Sequence, residues 1–260
     1  MGGSIHGTLL REGEDRLEAA GARFAVHRFR SLRSGDPALA LVCGDPRGGA
    51  PLLARVHSSC VTSEAYGACD CDCAGQLQAA LAEIARAGRG VLFYLFQEGR
   101  GAGLAAKALD RMLVQASGER VTTFEAYAAL GLARDQRRYE AVAFMAHLLG
   151  LEAPLVLLTH NPEKADALRD AGVAIAAVRP LAAQGSPWNR HYLAAKRSSG
   201  HALADPGPEA AAATPAPLAP VEPGPADAGG RFVRVAHYHL PGARPGAAAR
   251  ASAGAESSKG

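Results

Sequence analysis

Cys60, Cys71 and Cys73 stand at the spacing C-x10-C-x-C within HSSCVTSEAYGACDCDC (57–73), a run that holds four of the chain's five cysteines. Thiolates are soft ligands suited to zinc. Two cysteines one residue apart reach one ion from a single turn, and a third at the end of the preceding strand completes three ligands. A structural zinc site closes with a fourth protein ligand. An open site keeps that position for water, whose pKa the ion lowers toward about 7. No second C-x2-C pair supplies four thiolates, so the expectation is three thiolates plus water, and hydrolytic chemistry. His57 is the alternative fourth ligand, which would make the site structural. Cys69 can replace any of its neighbours, and the plain alternative is a set of metal-free thiols in a turn. Cys43, in ALALVCG, reads as a core residue.

The chain around this cluster has 260 residues, 48% hydrophobic and 20% charged, with a formal charge of +3. That is ordinary for a globular protein and too weakly basic to argue for nucleic acid or a membrane surface. No apolar run approaches the roughly 20 residues of a membrane span. MGGSIHGTLLREGEDRLEAAG has early acids and no apolar core, so it is expected not to be a signal peptide. A cytoplasmic setting follows as the expectation. There, clustered cysteines point to metal or redox chemistry before disulfides.

The elements that must position the cluster lie between about 24 and 197. ALALVCG (38–44) and LLARVHS (52–58) read as strands joined in an early hairpin by DPRGGAP. GQLQAALAEIARAG (75–88) puts Leu77, Ala80, Leu81 and Ile84 on one helical face and stops at Gly88. VLFYLFQ (91–97) is a buried strand and GLAAKALDRMLVQA (103–116) a helix. DQRRYEAVAFMAHLLG (135–150) is a third helix, capped by Asp135 and closed by Gly150. PLVLLTH (154–160) is a strand, PEKADALRDAG (162–172) a helix with Pro162 in its first turn, and GVAIAAV (172–178) a last strand. The alternation predicts an α/β (α+β-like) domain, a mixed β-sheet with flanking helices. Residues 1–23 are expected to be an N-terminal extension, 24–197 the catalytic domain, and 198–260 a disordered Pro/Ala/Gly-rich tail. Nine of the sixteen prolines fall in 201–260, and within that tail only RFVRVAHYHL (231–240) alternates like a strand.

QEGRGAG (97–103) follows an apolar strand and precedes a helix. Glycines there let backbone approach a ligand, and a helix N-terminus favours anions. The same pattern also serves as a plain turn, and its spacing fits neither a P-loop nor a dinucleotide fingerprint. Taken together and in order, ARVHSSC, CDCAGQLQAAL, QEGRGAGL, GLARDQR and LLTHNPEK resemble the GTP cyclohydrolase II family over about residues 36–197. The sequence is expected to leave no room for the butanone-phosphate synthase domain often fused ahead of this one.

The resemblance implies one zinc on Cys60, Cys71 and Cys73, with Mg2+ on the triphosphate of GTP. It places Arg55, Val56, His57, Ser58 and Ser59 along the nucleotide, Ser59 standing where the family usually has an acid. It adds Gln76, Glu98, Gly99, Arg100 and Thr123 as GTP contacts, with Glu98 accepting from the guanine edge. Thr159 and Lys164 hold the far end. Asp135 is the implied general base and Arg137 the implied nucleophile at the α-phosphate. Arginine stays protonated at ordinary pH, so phosphate binding is the firmer expectation for Arg137. Without the resemblance, DQRRYE and Lys164 read as solvated helix surface. The implied reaction opens the guanine imidazole ring by hydrolysis, releases C8 as formate and loses pyrophosphate. Its product is a 2,5-diamino-6-ribosylamino-pyrimidinone 5'-phosphate, an intermediate of riboflavin synthesis. A homodimer is implied, with no nucleic-acid or membrane partner.

One departure bears on the product. The family's helix after Q-E-G-R carries a tyrosine thought to assist ring opening and deformylation, and GLAAKALDRMLVQASG has none. Counting from Lys107 puts Arg111 at that position, and counting back from Gln115 puts Met112 there. Met112 is the favoured assignment, since it turns an apolar residue inward and leaves Asp110 and Arg111 for the surface. Methionine relays no proton. The reaction is then expected to stop at the formamidopyrimidine, unless Tyr127 folds back to compensate. The alternative to an enzyme is a non-catalytic zinc protein that binds a guanine nucleotide.

Overall fold

A computed structural model describes residues 9–181, 185–186 and 188–203. The tail expectation and the 231–240 strand pattern lie outside the described residues. Seven strands make one sheet: β1 (Leu9–Ala19), β2 (Ala22–Ser31), β3 (Pro37–Cys43), β4 (Leu52–Ser58), β5 (Gly90–Leu95), β6 (Leu155–Leu158) and β7 (Ile175–Arg179), in the spatial order β1-β2-β3-β5-β4-β6-β7. The β1 to β3 pairs and β3 with β5 are antiparallel, whereas β5, β4, β6 and β7 run parallel. The sheet is mixed, as the alternating patterns predict. The segment 1–23 contributes β1, which pairs with β2 along its length.

β3 and β4 are not a hairpin. β5 inserts between them, pairing Ala40 with Phe93 on one side and Val56 with Phe93 on the other. The reason is burial on both faces. All three strands are buried almost without interruption, which suits the middle of a sheet covered on both sides. Arg89, just before β5, donates to the carbonyls of Asp45, Pro46 and Ala50 at 2.9, 3.2 and 3.1 Å, so the DPRGGAP connection arches over the start of β5.

The helices are α1 (Val61–Glu64), α2 (Cys73–Ala87), α3 (Leu104–Ala116), α4 (Thr123–Ala129), α5 (Glu140–Leu148), α6 (Pro162–Asp170) and α7 (Arg190–Ser198). α2 covers one face of the sheet, packing Ala80, Leu81 and Ile84 on Phe24, Leu41, Cys43 and Leu92. α5 and α6 cover the other, packing Val142, Met145 and Leu168 on Ala40, Val56, Phe93 and Leu157. Gly88 ends α2 in the left-handed conformation, as its position predicts.

α5 begins at Glu140 and not at Asp135. The Asp135 carboxylate is taken by Arg137, which donates from its backbone N–H at 3.0 Å and from Nε at 2.9 Å. Gln136 N–H meanwhile donates to the Arg100 carbonyl at 2.9 Å. Residues 135–139 are therefore a loop pinned against QEGRGAG, not a helical turn. Gly101 permits this approach: its φ is +84°, and a Cβ there would lie 2.9 Å from the Gln136 carbonyl carbon.

Parallel strands β5, β4 and β6 end at the same edge of the sheet. Beyond that edge lie 58–60, 97–103 and 159–164, the three segments that carry the sequence motifs. Ligands of open parallel sheets sit outside the carboxyl ends of the strands, and that is where the motifs converge.

Candidate active site

Cys60 follows β4, Cys71 lies in the loop before α2, and Cys73 opens α2. Their three Sγ atoms lie within 4.8 Å of one another, Cys60 and Cys71 at 3.6 Å. Lys107 of α3 brings Nζ to 2.9 Å from the Cys60 sulfur. Bonds from Cys71 and Cys73, with Lys107 behind them, hold the Cys60 thiol far below its ordinary pKa. Cys73 is pushed well above it, first by Cys60. Three convergent sulfurs, one of them held as thiolate beside Lys107, suit a soft cation, so the donor set fits zinc. Among the described residues, no further His, Cys, Asp or Glu joins the group.

The two alternatives for this cluster resolve differently. Cys69 is exposed and turns its sulfur to the Gly67 carbonyl at 3.3 Å. His57 is buried beneath the cluster, where Nε2 sits 2.8 Å from Glu64 Oε1. That carboxylate also accepts from Cys60 N–H at 2.9 Å and from Tyr94 OH at 2.6 Å. His57 therefore supports the Cys60 turn through Glu64 and is not a ligand. Cys43 is a core residue of β3.

A cavity of about 180 Å³ opens on the thiols. Ser58, Ser59, Glu98, Gly99, Arg100 and Thr123 line it, with Arg137 at its margin. Glu98 is fully engaged: Oε1 accepts from Lys107 Nζ at 2.6 Å and Oε2 from Val61 N–H at 2.7 Å. Burial depresses the Lys107 pKa, but Cys60 and Glu98 outweigh it and hold it above lysine's usual value. Thr123 donates to Asp110 at 2.7 Å.

The α3 register differs from the favoured one. Lys107, Asp110, Arg111 and Val114 all face the cavity, and Arg111 is ion-paired with Asp70 on its wall. Met112 points away and is 63% exposed. Asp110 and Arg111 are thus the inward residues and Met112 the surface one. Tyr127 lines the cavity, but its hydroxyl donates to the Gly99 carbonyl at 2.8 Å, so it serves the loop.

A second cavity of about 100 Å³ adjoins the first, and Ser58, Cys73, Arg100, Arg137 and Tyr192 line both. Arg55, buried on β4, donates to the Leu158 carbonyl at 2.8 Å and to Gln76 at 2.6 Å; burial lowers its pKa to about 10. Val56 turns its side chain into the core and offers only its carbonyl, which accepts from Lys164 Nζ at 2.9 Å. Burial, then Arg55 and Arg137, push the Lys164 pKa well below lysine's usual value. Burial raises Asp135, but the Arg137 bonds outweigh it and hold the carboxyl below its usual range. The same pair raises Arg137. Thr159 is buried at the rim, its hydroxyl accepting from Asn161 N–H at 3.1 Å.

Sequence reasoning missed several wall residues. Lys107 and Asp110 carried a signal, since they repeat at helical spacing after the loop. Trp188, just before α7, and His191, Tyr192 and Ala195 of α7 line the thiol cavity, and Lys196 of α7 lines the second cavity and pairs with buried Asp72 at 2.6 Å. That helix was hidden because its sequence abuts the composition change near 198.

A mixed sheet with a buried three-thiol cluster beside a cationic pocket defines a metal-dependent α/β enzyme for an anionic ligand. The GTP cyclohydrolase II family model matches residues 11–180. The GTP cyclohydrolase-2 of Cronobacter sakazakii is 43% identical over 196 residues, 75% of this chain and 98% of that protein. That of Pseudomonas syringae pv. tomato is 44% identical over 183 residues, 70% and 87% of the two chains. That of Escherichia fergusonii is 42% identical over 196 residues, 75% and 97%. The chain belongs to the GTP cyclohydrolase II family.

Proposed function

We propose that the protein binds GTP across the two cavities, opens the guanine imidazole ring by hydrolysis and releases pyrophosphate. The carrying observation is the juxtaposition: three convergent thiols in one cavity share a wall with a pocket of six basic side chains, Arg55, Arg100, Arg134, Arg137, Lys164 and Lys196. Held by Cys60, Cys71 and Cys73, zinc supplies a Lewis acid that brings the pKa of water to about 7. Lys107 sets the charge on Cys60. The base lies in the thiol cavity beside Glu98 and Thr123, and the phosphates, with Mg2+, in the cationic one. Asp135 orients Arg137, whose raised pKa keeps it a cation at the α-phosphate and favours electrostatic stabilisation over covalent attack. One water cleaves C8–N9, a second cleaves C8–N7 and frees formate, and a third cleaves the α–β phosphoanhydride. The product is the diaminopyrimidinone ribosyl phosphate that begins riboflavin synthesis, made in the cytoplasm by a homodimer.

A second reading stops after ring opening and is favoured by Arg111. That guanidinium stands on the thiol cavity wall where the family is expected to place tyrosine, and guanidinium accepts no proton. Mass spectrometry of the product from GTP, Mg2+ and zinc, with formate quantified, tests both. Stoichiometric formate supports the full reaction, a formyl-bearing product supports the second reading, and no ring opening refutes both.

A further inference from the structure

Phe124, in the first turn of α4, has the Arg100 guanidinium 4.0 Å and the Arg134 guanidinium 4.2 Å from its ring centroid. Both lie within the roughly 6 Å reach of a cation–π contact. Two like charges on one ring repel each other, so their pairing calls for a compensating partner. Among the described residues, the Arg100 side chain donates no hydrogen bond and forms no ion pair, and Arg134 reaches only the Ser199 carbonyl, at 3.5 Å. Each guanidinium carries five donors in a planar fork. Most of these donors are therefore unused, at the wall of a cavity lined by six basic side chains and only two carboxylates, Asp135 and Glu163.

The other four basic side chains are committed. Arg55 donates to Gln76, Lys164 to the Val56 carbonyl, Arg137 to Asp135 and Lys196 to Asp72. What remains free is the pair on Phe124. Their positions also differ in a useful way. Arg100 lines both cavities, whereas Arg134 lines the cationic cavity alone. A ligand whose base faces the thiols meets Arg100 first and Arg134 further out.

We propose that Phe124 holds Arg100 and Arg134 as a clamp on the outer phosphates, and that Arg134 discriminates a nucleoside triphosphate from a monophosphate. The inference rests on the cyclohydrolase reading and adds Arg134 to its binding residues, with Phe124 as the positioning residue. Bidentate guanidinium–phosphate pairs suit this geometry, and a ring that fixes both guanidinium planes reduces the conformational freedom they lose on binding.

The test is calorimetric binding of GTP, GDP and GMP, with Mg2+, to the zinc-loaded full chain. Arg134→Ala removes an exposed side chain and is expected to weaken GTP binding roughly tenfold while leaving GMP unchanged. Phe124→Leu keeps the apolar volume, loses the ring face and reproduces part of that loss; Phe124→Trp restores it. Equal losses for GTP and GMP, or no loss for GTP, overturn the clamp. Should Phe124→Leu fail to fold, the Arg134 variant alone decides. A wild-type chain that opens the ring of GTP while Arg134→Ala binds normally sinks the clamp and spares the cyclohydrolase reading. A chain that shows the phosphate dependence but opens no ring sinks that reading and spares the clamp.

Discussion

Lys107→Met is the substitution that separates the metal site from the rest of the machinery. Lys107 Nζ bridges Cys60 Sγ at 2.9 Å and Glu98 Oε1 at 2.6 Å, with the two charged side chains only 11% and 14% exposed. Methionine keeps most of the stem's volume and removes the charge. Stranding one partner of a buried ion pair costs about 3–5 kcal/mol. Glu98 retains the Val61 and Gly99 amides, at 2.7 and 3.3 Å, so the lower end applies and about 3 kcal/mol is expected. The cost at the metal is separate. A group that fixes and charge-balances a ligand is worth about 10–100-fold in metal affinity. Zinc affinity is read by competition with a chromogenic chelator, and stability by denaturant unfolding of the metal-free chain. Adding Glu98→Gln to Lys107→Met removes the stranded carboxylate, so it recovers stability without recovering zinc affinity. An unchanged zinc affinity in Lys107→Met would refute the role given to Lys107. A single loss that the second substitution repairs in both assays would refute the separation.

Three other outcomes are expected. On the reading that stops after ring opening, Arg111→Tyr raises the formate released per GTP, whereas Met112→Tyr, on the exposed side of α3, leaves it unchanged; a formate assay beside product mass spectrometry reads the difference. Gly101→Ala forces a left-handed alanine against the Gln136 carbonyl and lowers stability by about 2 kcal/mol in denaturant unfolding. His201 has its pKa lowered to about 4 by burial, then by Lys196 and Arg100. The unfolded chain takes up the proton near 6.5 and the folded chain does not, so stability is full above pH 6.5 and is lost as pH falls toward 4. His201→Asn flattens that part of a thermal-melt profile across pH.

Much of the site was legible because its chemistry is local. Cys71 and Cys73 sit on either side of Asp72, and any turn that opens a helix there brings both sulfurs to one place. The strand-to-helix segments were legible through burial: β4, β5 and β6 are apolar runs that end in polar, Gly-rich or Asn-Pro sequence. What propensity could not show was long-range competition. DQRRYE has the composition of a first helical turn, yet Asp135 is held by Arg137 and Gln136 by the Arg100 carbonyl, a contact from 36 residues upstream. The β3–β4 connection has hairpin chemistry, yet Arg89 draws it over β5. Neither partner is visible to a local window.

The α3 register is a different case, because the deciding signal lies within the helix. Successive residues of an α-helix turn by about 100°, so positions three, four and seven beyond a given residue share its face. Lys107 must face the thiols, since Nζ touches Cys60. Asp110, Arg111 and Val114 then follow onto the cavity wall, as the structure has them. Met112, five positions on, is turned about 140° away by the same arithmetic, and no apolar preference in the cavity offsets that. Hydrophobicity favoured methionine inward because a core was assumed behind α3. Behind α3 lies instead an open cavity, where Glu98, Asp110, Thr123 and the Asp70–Arg111 pair stand beside Val114, Tyr127 and Trp188. On a helix that borders an active site, the side chain anchored to the chemistry fixes the phase, and hydrophobic character does not.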